Sequence, residues 1–148
     1  MTLSNWASNG WLKQHNTSRQ EIENLLAMVE RDLADARTAD LSADWRFGIA
    51  YNAALKLCTI LLYVSGYRPD RQLAHYRTLQ SLALILGENW RRDVDYLDSC
   101  RIKRNAVEYD YVGGATIKDA EELINFTEVL KAEVLKWLEV HSHDTTEP

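Results

Sequence analysis

The stretch RIKRNAVEYDYVGG, residues 101–114, concentrates the side chains of this chain that are best suited to binding a phosphate group. Arg101, Lys103 and Arg104 place three cations within four positions, and Asn105 follows them directly. A guanidinium binds phosphate oxygens in a bidentate manner, and an ammonium adds a point charge. The whole chain carries a net charge of -5, so only a local patch of this kind is expected to contact a polyanion. Arg101 and Lys103 are therefore candidate phosphate-binding residues.

Arg104 falls on the side of its predicted helix that otherwise carries apolar residues. At a helical rotation of about 100° per residue, four such residues lie within about 60° of it, namely Trp90, Leu97, Cys100 and Val107. An inward guanidinium is costly unless a partner or water satisfies it. Three arrangements remain open: an ion pair with Glu108 one turn on, a polar cleft between helices, or a groove completed by a second copy of the chain.

Other residues that could support chemistry lack a specific spacing. The sequence has no glycine-rich phosphate loop, no HExxH and no paired CxxC. Cys58 and Cys100 lie among apolar neighbours, which predicts buried free thiols. The remaining candidates are interpreted as packing or solvated surface residues, namely His75, Asp93, Asp95, Asp98, His141 and His143. We expect no metal site and no cofactor.

The composition predicts one helical domain. The chain has 148 residues, of which 46% are hydrophobic, and it contains only two prolines and six glycines. This length suffices for a core without disulfides. No apolar run approaches about 18 residues free of charge, so we expect no membrane-spanning helix, and the N-terminus does not resemble a secretory signal. We expect a cytoplasmic protein with a single domain, 1–148.

Apolar residues at helical spacing predict an antiparallel bundle of about five helices and no strand. Three helices are expected to begin after Ser18, Ser42 and Thr116, because each of these residues can act as an N-cap. The other two are expected to begin near Arg71 and near Trp90. Glu21 and Asp119 stand at the capping-box positions of the first and the last helix. Residues 1–16 are expected to be irregular, with Trp6 and Trp11 docked on the body. Residues 141–148 are expected to be a frayed tail.

With these elements in place, the sequence resembles the HEPN superfamily of small all-helical bacterial and archaeal domains. The resemblance spans about residues 18–138. GYRPDRQLAHYRTLQSL resembles the segment that links the second and third helices in many members. RNAVEYDY resembles the family signature of an arginine, a polar residue and, a few positions on, a histidine. The resemblance implies a HEPN-like four-helix up-and-down core.

The resemblance also implies an activity, because many HEPN domains are metal-independent endoribonucleases whose groove is shared by two protomers. Arg104 then stabilises the charge that develops on phosphorus, with Asn105 beside it as the polar residue. The histidine that moves the 2'-hydroxyl proton falls at Tyr109 in this sequence. A tyrosine is protonated at neutral pH and is a poor base. Catalysis is therefore expected to be weakened or lost, unless His75, the remaining helical histidine, supplies the base.

Two expectations about function follow. The first is a homodimer that binds RNA or a nucleotide, as a ribonuclease or a toxin–antitoxin or defence component, with an antitoxin or nucleotidyltransferase as partner. Tyr111 occupies the place of a tyrosine that such a nucleotidyltransferase modifies in one HEPN group. The second is a non-enzymatic interaction module, in which Arg104 only pairs with a carboxylate.

Overall fold

The protein is an all-α helical bundle with one small two-stranded sheet, as a computed structural model shows. The structure describes residues 1–109 and 112–141. Six α-helices are present in this part of the chain: α1 Leu3–Ser8, α2 Arg19–Ala36, α3 Ala43–Val64, α4 Ala74–Leu86, α5 Arg91–Tyr109 and α6 Ile117–His141. The strands are β1 Leu12–Gln14 and β2 Tyr67–Pro69, and a 3-10 turn, Glu88–Trp90, precedes α5.

Side-chain caps fix three helix starts where the sequence predicts them. The hydroxyl of Ser18 accepts from the Glu21 N–H at 3.1 Å, which starts α2. Ser42 accepts from Trp45 in the same way and starts α3. At the start of α6, Thr116 and Asp119 bond each other's backbone N–H groups in a full capping box. These caps satisfy helical N–H groups that would otherwise lack a partner.

The central element of the bundle is α3. Eleven of its residues are buried, and α2, α4, α5 and α6 all pack against it. Its length and mean hydropathy of 1.6 would also suit a membrane span, but 61% of that window is buried inside the bundle. Burial on all sides explains its nearly continuous apolar composition, because a helix surrounded by others needs no polar face.

Polar contacts show that α2 and α3 run antiparallel to each other. The Nε of Arg46, early in α3, donates to the carbonyl of Ala36 at the end of α2, at 2.7 Å. Further along α3, Lys56 pairs with the buried Asp32 nearer the start of α2, at 2.6 Å. The beginning of α3 lies near the end of α5, with a pocket between them, and the site described below lies in this region.

The N-terminal segment corrects two predictions, because residues 1–16 are not irregular and a strand pair exists. Residues 3–8 form α1, and β1 pairs with β2 in antiparallel register, with Leu12 opposite Pro69. Trp6 and Leu12 are buried against Leu62 of α3. Strands of three residues are too short to show an alternating pattern, so their pairing depends on this tertiary packing.

Two helix boundaries also differ from the prediction. The helix expected from about Arg71 begins at Ala74, because Leu73 adopts a left-handed backbone conformation (φ 56°) that a helix cannot include. The helix expected from Trp90 to Asp110 is α5, which begins one residue later and is described to Tyr109. The predicted frayed tail begins at His141, the last residue of α6, and its other residues, 142–148, lie outside the described part.

A carboxylate in the first turn of α2 makes stability depend on pH. Glu21 accepts hydrogen bonds from Thr17 and from the His15 ring, both at 2.7 Å. Burial raises the pKa of Glu21, but these bonds and the His15 charge outweigh it and hold the pKa below its ordinary value of 4.5. A lowered folded-state pKa stabilises the protein above the unfolded value and ceases to do so as pH falls through the folded value.

We therefore expect Glu21→Gln to lower the free energy of unfolding at pH 7 and to flatten its fall below pH 4.5. Urea unfolding at a series of pH values measures both effects. The same substitution at the exposed Glu121 is the control. An unchanged acid slope in Glu21→Gln would contradict the assignment of the slope to this carboxylate.

Candidate functional site

Three helices bring a tyrosine, a histidine and two arginines together at one end of the bundle. Tyr51 comes from the middle of α3, His75 from the first turn of α4, and Arg101 and Arg104 from α5. The Cζ of Arg104 lies 5.9 Å from the centroid of the Tyr51 ring, and the ring centroids of Tyr51 and His75 are 6.3 Å apart. We call these four residues the Arg–His cluster.

The packing of α5 explains why its arginines point to this place. Val94, Leu97 and Cys100 are buried on the side of α5 that faces the core. Arg101 and Arg104 continue that side by one further turn, since they stand four residues after Leu97 and Cys100. The side chain of Arg104 is only 19% exposed. The sequence-based prediction of an inward guanidinium is therefore confirmed.

Each cation of the predicted patch has an acidic partner within the chain. The Nε of Arg104 lies 2.9 Å from Glu108, and Arg101 donates to Asp98 at 2.8 Å. Lys103 turns toward the start of α6 and lies 3.2 Å from Asp119. The predicted ion pair of Arg104 is thus present. Because a guanidinium has five N–H donors, both arginines retain donors that no described residue accepts.

Tyr51 carries a buried hydroxyl with no hydrogen-bond partner among the described residues. The residue is 0% exposed. Burial raises its pKa strongly, although the charges of Arg101 and Arg104 act in the opposite direction. The hydroxyl is therefore a protonated donor that lies in the field of two guanidinium groups. An unsatisfied buried hydroxyl costs about 1–3 kcal/mol, so the hydroxyl destabilises the free protein unless a ligand accepts a hydrogen bond from it.

His75 is held in its neutral form. Partial desolvation of its ring lowers its pKa below the ordinary 6.5, and the charges of Arg104 and Arg101 lower it further. A neutral imidazole carries one nitrogen that can accept a proton at pH 7. The side chain also keeps an exposed face. The cluster thus combines a proton acceptor with anion-binding groups.

Of the other predicted site residues, none joins the cluster in the described part of the chain. Tyr109 ends α5, is 73% exposed, and its side chain forms no hydrogen bond to a described residue. Asn105 is exposed, and its only described hydrogen bond is a long one, 3.4 Å, from Arg104. Tyr111 lies outside the described residues. Sequence reasoning treated His75 mainly as a packing residue and Tyr51 as core, and local spacing carries no signal that they meet.

A pocket of about 290 Å³ opens on the other side of Arg104, between the start of α3 and the end of α5. Its lining includes Trp45, Gly48 and Asn52 of α3, together with Arg104, Glu108 and Val112. Asp44 fixes the rim, because its carboxylate accepts from the N–H groups of Gly113 and Ala115 at 2.6 and 3.0 Å. A cleft between helices is therefore present, although apolar atoms and not polar ones form most of its lining, and Arg104 borders both the cleft and the cluster.

Thiol and metal chemistry find little support at this site. Burial raises the pKa of Cys58 to about 12 and that of Cys100 to about 11, so both are protonated at neutral pH. Both are free and buried, as predicted. No group of three or more His, Cys, Asp or Glu side chains in residues 1–109 and 112–141 is arranged to hold a metal ion.

No family model, curated protein or solved structure matches the chain. The HEPN resemblance therefore stays a prediction.

Proposed function

We propose that the protein binds single-stranded RNA at the Arg–His cluster and cleaves it without a metal ion. The observation that carries the proposal is the unpartnered hydroxyl of Tyr51, buried in the field of Arg101 and Arg104 beside a neutral His75. Two kinds of donor, the guanidinium N–H groups and the tyrosine O–H, suit the oxygens of a phosphodiester, and His75 adds a proton acceptor beside them.

The charges of the cluster favour an anion over a neutral ligand. Arg101 and Arg104 use their Nε atoms for Asp98 and Glu108, and their remaining N–H groups can reach a ligand. Their charges raise the local potential although the whole chain is acidic. Transition-state charge on phosphorus is greater than ground-state charge, so donors fixed in advance favour the reaction as well as binding.

The proposed step is an attack within the RNA strand. The ribose 2'-oxygen forms a bond to phosphorus while the bond from phosphorus to the 5'-oxygen breaks. His75 takes the 2'-hydroxyl proton as general base, and water returns a proton to the departing 5'-oxygen. The products are a 2',3'-cyclic phosphate and a 5'-hydroxyl end. Arg101 and Arg104 bind the non-bridging oxygens throughout, and the Tyr51 hydroxyl, which is fully buried in the free protein, donates to one of them once Arg104 has moved aside to bind the phosphate.

We also propose that the protein acts as a homodimer in the bacterial cytoplasm, as a toxin-like component with an antitoxin or nucleotidyltransferase partner. Ile102 and Tyr109 support self-association. They are 58% and 73% exposed and stand seven residues apart, so they share one face of α5. Light scattering at micromolar concentration is expected to give twice the mass of one chain.

A cleavage assay tests the proposal. We expect an unstructured RNA to be cut in the presence of EDTA, with a 2',3'-cyclic phosphate on the product. A 2'-deoxy substitution at each cut site is the matched control and should abolish cleavage there, because it removes the nucleophile. Absence of both cleavage and RNA binding would contradict the proposal.

The complete pairing of the three cations favours a second candidate, a non-enzymatic interaction module. In that case Arg104 serves to orient Glu108 and the end of α5, and the exposed face of Ile102 and Tyr109 binds a protein. Arg104→Gln would then weaken association or stability and leave RNA binding unchanged. Measurement of dimer mass and RNA affinity on the same variant separates the two functions.

A further inference from the structure

One face of α3 presents an open slot to the pocket beside Arg104, and the phosphate chemistry of the cluster does not explain it. Trp45, Gly48 and Asn52 stand at positions i, i+3 and i+7, so they share this face. Trp45 is 67% exposed. A large aromatic ring on the wall of a pocket offers a flat surface for stacking. We call the space between Trp45 and Asn52 the base slot.

Gly48 leaves the floor of the base slot open. A glycine inside a helix costs about 1 kcal/mol relative to alanine. Packing does not require it here, because a Cβ added at Gly48 would meet no atom within 4 Å. The absence of a side chain at Gly48 therefore leaves a space beside the helix backbone, and a planar ligand could occupy that space.

Asn52 and Arg104 supply polar groups at opposite sides of the base slot. The amide of Asn52 makes no hydrogen bond to any residue that the structure describes, and it is only partly buried. It offers a donor and an acceptor side by side. Arg104 lines the same pocket and also lies over the Tyr51 ring of the cluster. A ligand that combines a planar ring with a nearby phosphate matches this arrangement.

We infer that the base slot binds one unpaired nucleobase of the RNA, adenine above the others, next to the phosphate held by Arg104. Stacking on Trp45 accepts any base. The amide of Asn52 matches the adjacent acceptor and donor of adenine N7 and N6. The inference rests on the proposed function, because the phosphate of the same nucleotide must occupy the cluster. It makes the protein selective for single-stranded RNA at adenine.

The experiment uses short RNA strands with 2'-O-methyl groups, which cannot be cleaved, and measures their affinity by fluorescence anisotropy. One strand has adenine at the central position, one has uracil, and one lacks the base. Removal of the base is expected to weaken binding to the wild-type protein about 5- to 150-fold, which corresponds to a stacking free energy of about 1–3 kcal/mol. The affinity of the uracil strand should lie between those of the adenine strand and the strand without the base.

Two substitutions test the base slot directly. Trp45→Ala removes the stacking surface, and Gly48→Ile places a branched side chain in the slot, with a Cβ that meets no neighbouring atom within 4 Å. Each substitution is expected to lower the affinity for the adenine strand to the affinity that the wild-type protein has for the strand without the base. The affinity for the strand without the base should not change. Leu135→Ala, at an exposed apolar position on α6, is the control for loss of surface area.

The outcomes separate the two proposals. If Arg104→Gln weakens binding while removal of the base, Trp45→Ala and Gly48→Ile do not, the base slot is wrong and the phosphate site stands. If no strand binds the wild-type protein, both proposals fall. If Gly48→Ile lowers the molecular mass in solution from that of a dimer to that of one chain and leaves the RNA affinity unchanged, a second copy of the chain occupies the slot. That result would overturn the inference.

Discussion

His75→Asn is expected to lower the rate of RNA cleavage at pH 7 by about 100- to 10,000-fold, which is the usual contribution of a general base. Asparagine has a similar size and still forms hydrogen bonds, but it cannot take up a proton. His75 lies in the first turn of α4 and is partly exposed to solvent, so the fold should tolerate the change. RNA affinity is expected to stay within about twofold, because the arginines remain.

The pH profile of cleavage adds an independent check on this role. Deprotonated His75 is the active form, and its pKa is lowered from 6.5 by desolvation and by Arg104 and Arg101. Cleavage should therefore rise with pH, with a midpoint below the ordinary histidine value of 6.5. His141→Asn, at the end of α6, is the matched control and should change neither rate nor profile. An unaltered rate in His75→Asn would contradict the assignment of His75 as the base.

Arg104→Gln is expected to have the second largest effect, a loss of about 100- to 1,000-fold in cleavage, which is typical when one hydrogen-bond donor to the transition state is removed. The ion pair with Glu108 is partly exposed, so its loss should lower stability by less than about 1 kcal/mol. Arg92→Gln, at an exposed position of the same helix, removes the same charge outside the cluster and should leave cleavage unchanged.

A histidine titration distinguishes a functional Arg104 from a merely structural one. Because the charge of Arg104 lowers the pKa of His75, Arg104→Gln should move the titration midpoint of the His75 ring to higher pH. NMR of the free protein measures this shift without any activity. A midpoint that does not move would show that the two residues do not interact as the structure describes, and the proposed mechanism would lose its electrostatic basis.

The sequence predicts those parts of the fold whose interacting residues are close together along the chain. The caps at Ser18, Ser42 and Thr116 lie within three residues of their partners, so local pattern suffices to locate the helices. The inward position of Arg104 follows from its spacing to Leu97 and Cys100 alone. The β1–β2 pair was missed because residues 12–14 and 67–69 are far apart in sequence and each strand is too short to show periodicity.

The candidate site shows the same division. Arg101 and Arg104 are recognisable because they interrupt an apolar pattern with charge. Tyr51 gave no such signal, since a tyrosine among apolar residues on a helix predicts core, and its ring is indeed core. Its hydroxyl acquires a role only through the relative placement of α3, α4 and α5, which also brings His75 alongside. Tyr109, favoured by the family signature, lies instead at the exposed end of α5.

The most direct test of the central claim is to measure the stability and the RNA affinity of Tyr51→Phe together. The substitution removes one oxygen and keeps the buried ring. If the hydroxyl donates to a phosphate oxygen, the free protein should gain about 1 kcal/mol of stability, because an unsatisfied buried group is lost. RNA affinity should fall about fivefold to tenfold, because the complex loses one hydrogen bond to the phosphate that is worth about 1 kcal/mol. A variant that gains stability and binds RNA as tightly as the wild-type protein would contradict the claim that the Arg–His cluster is a phosphate site.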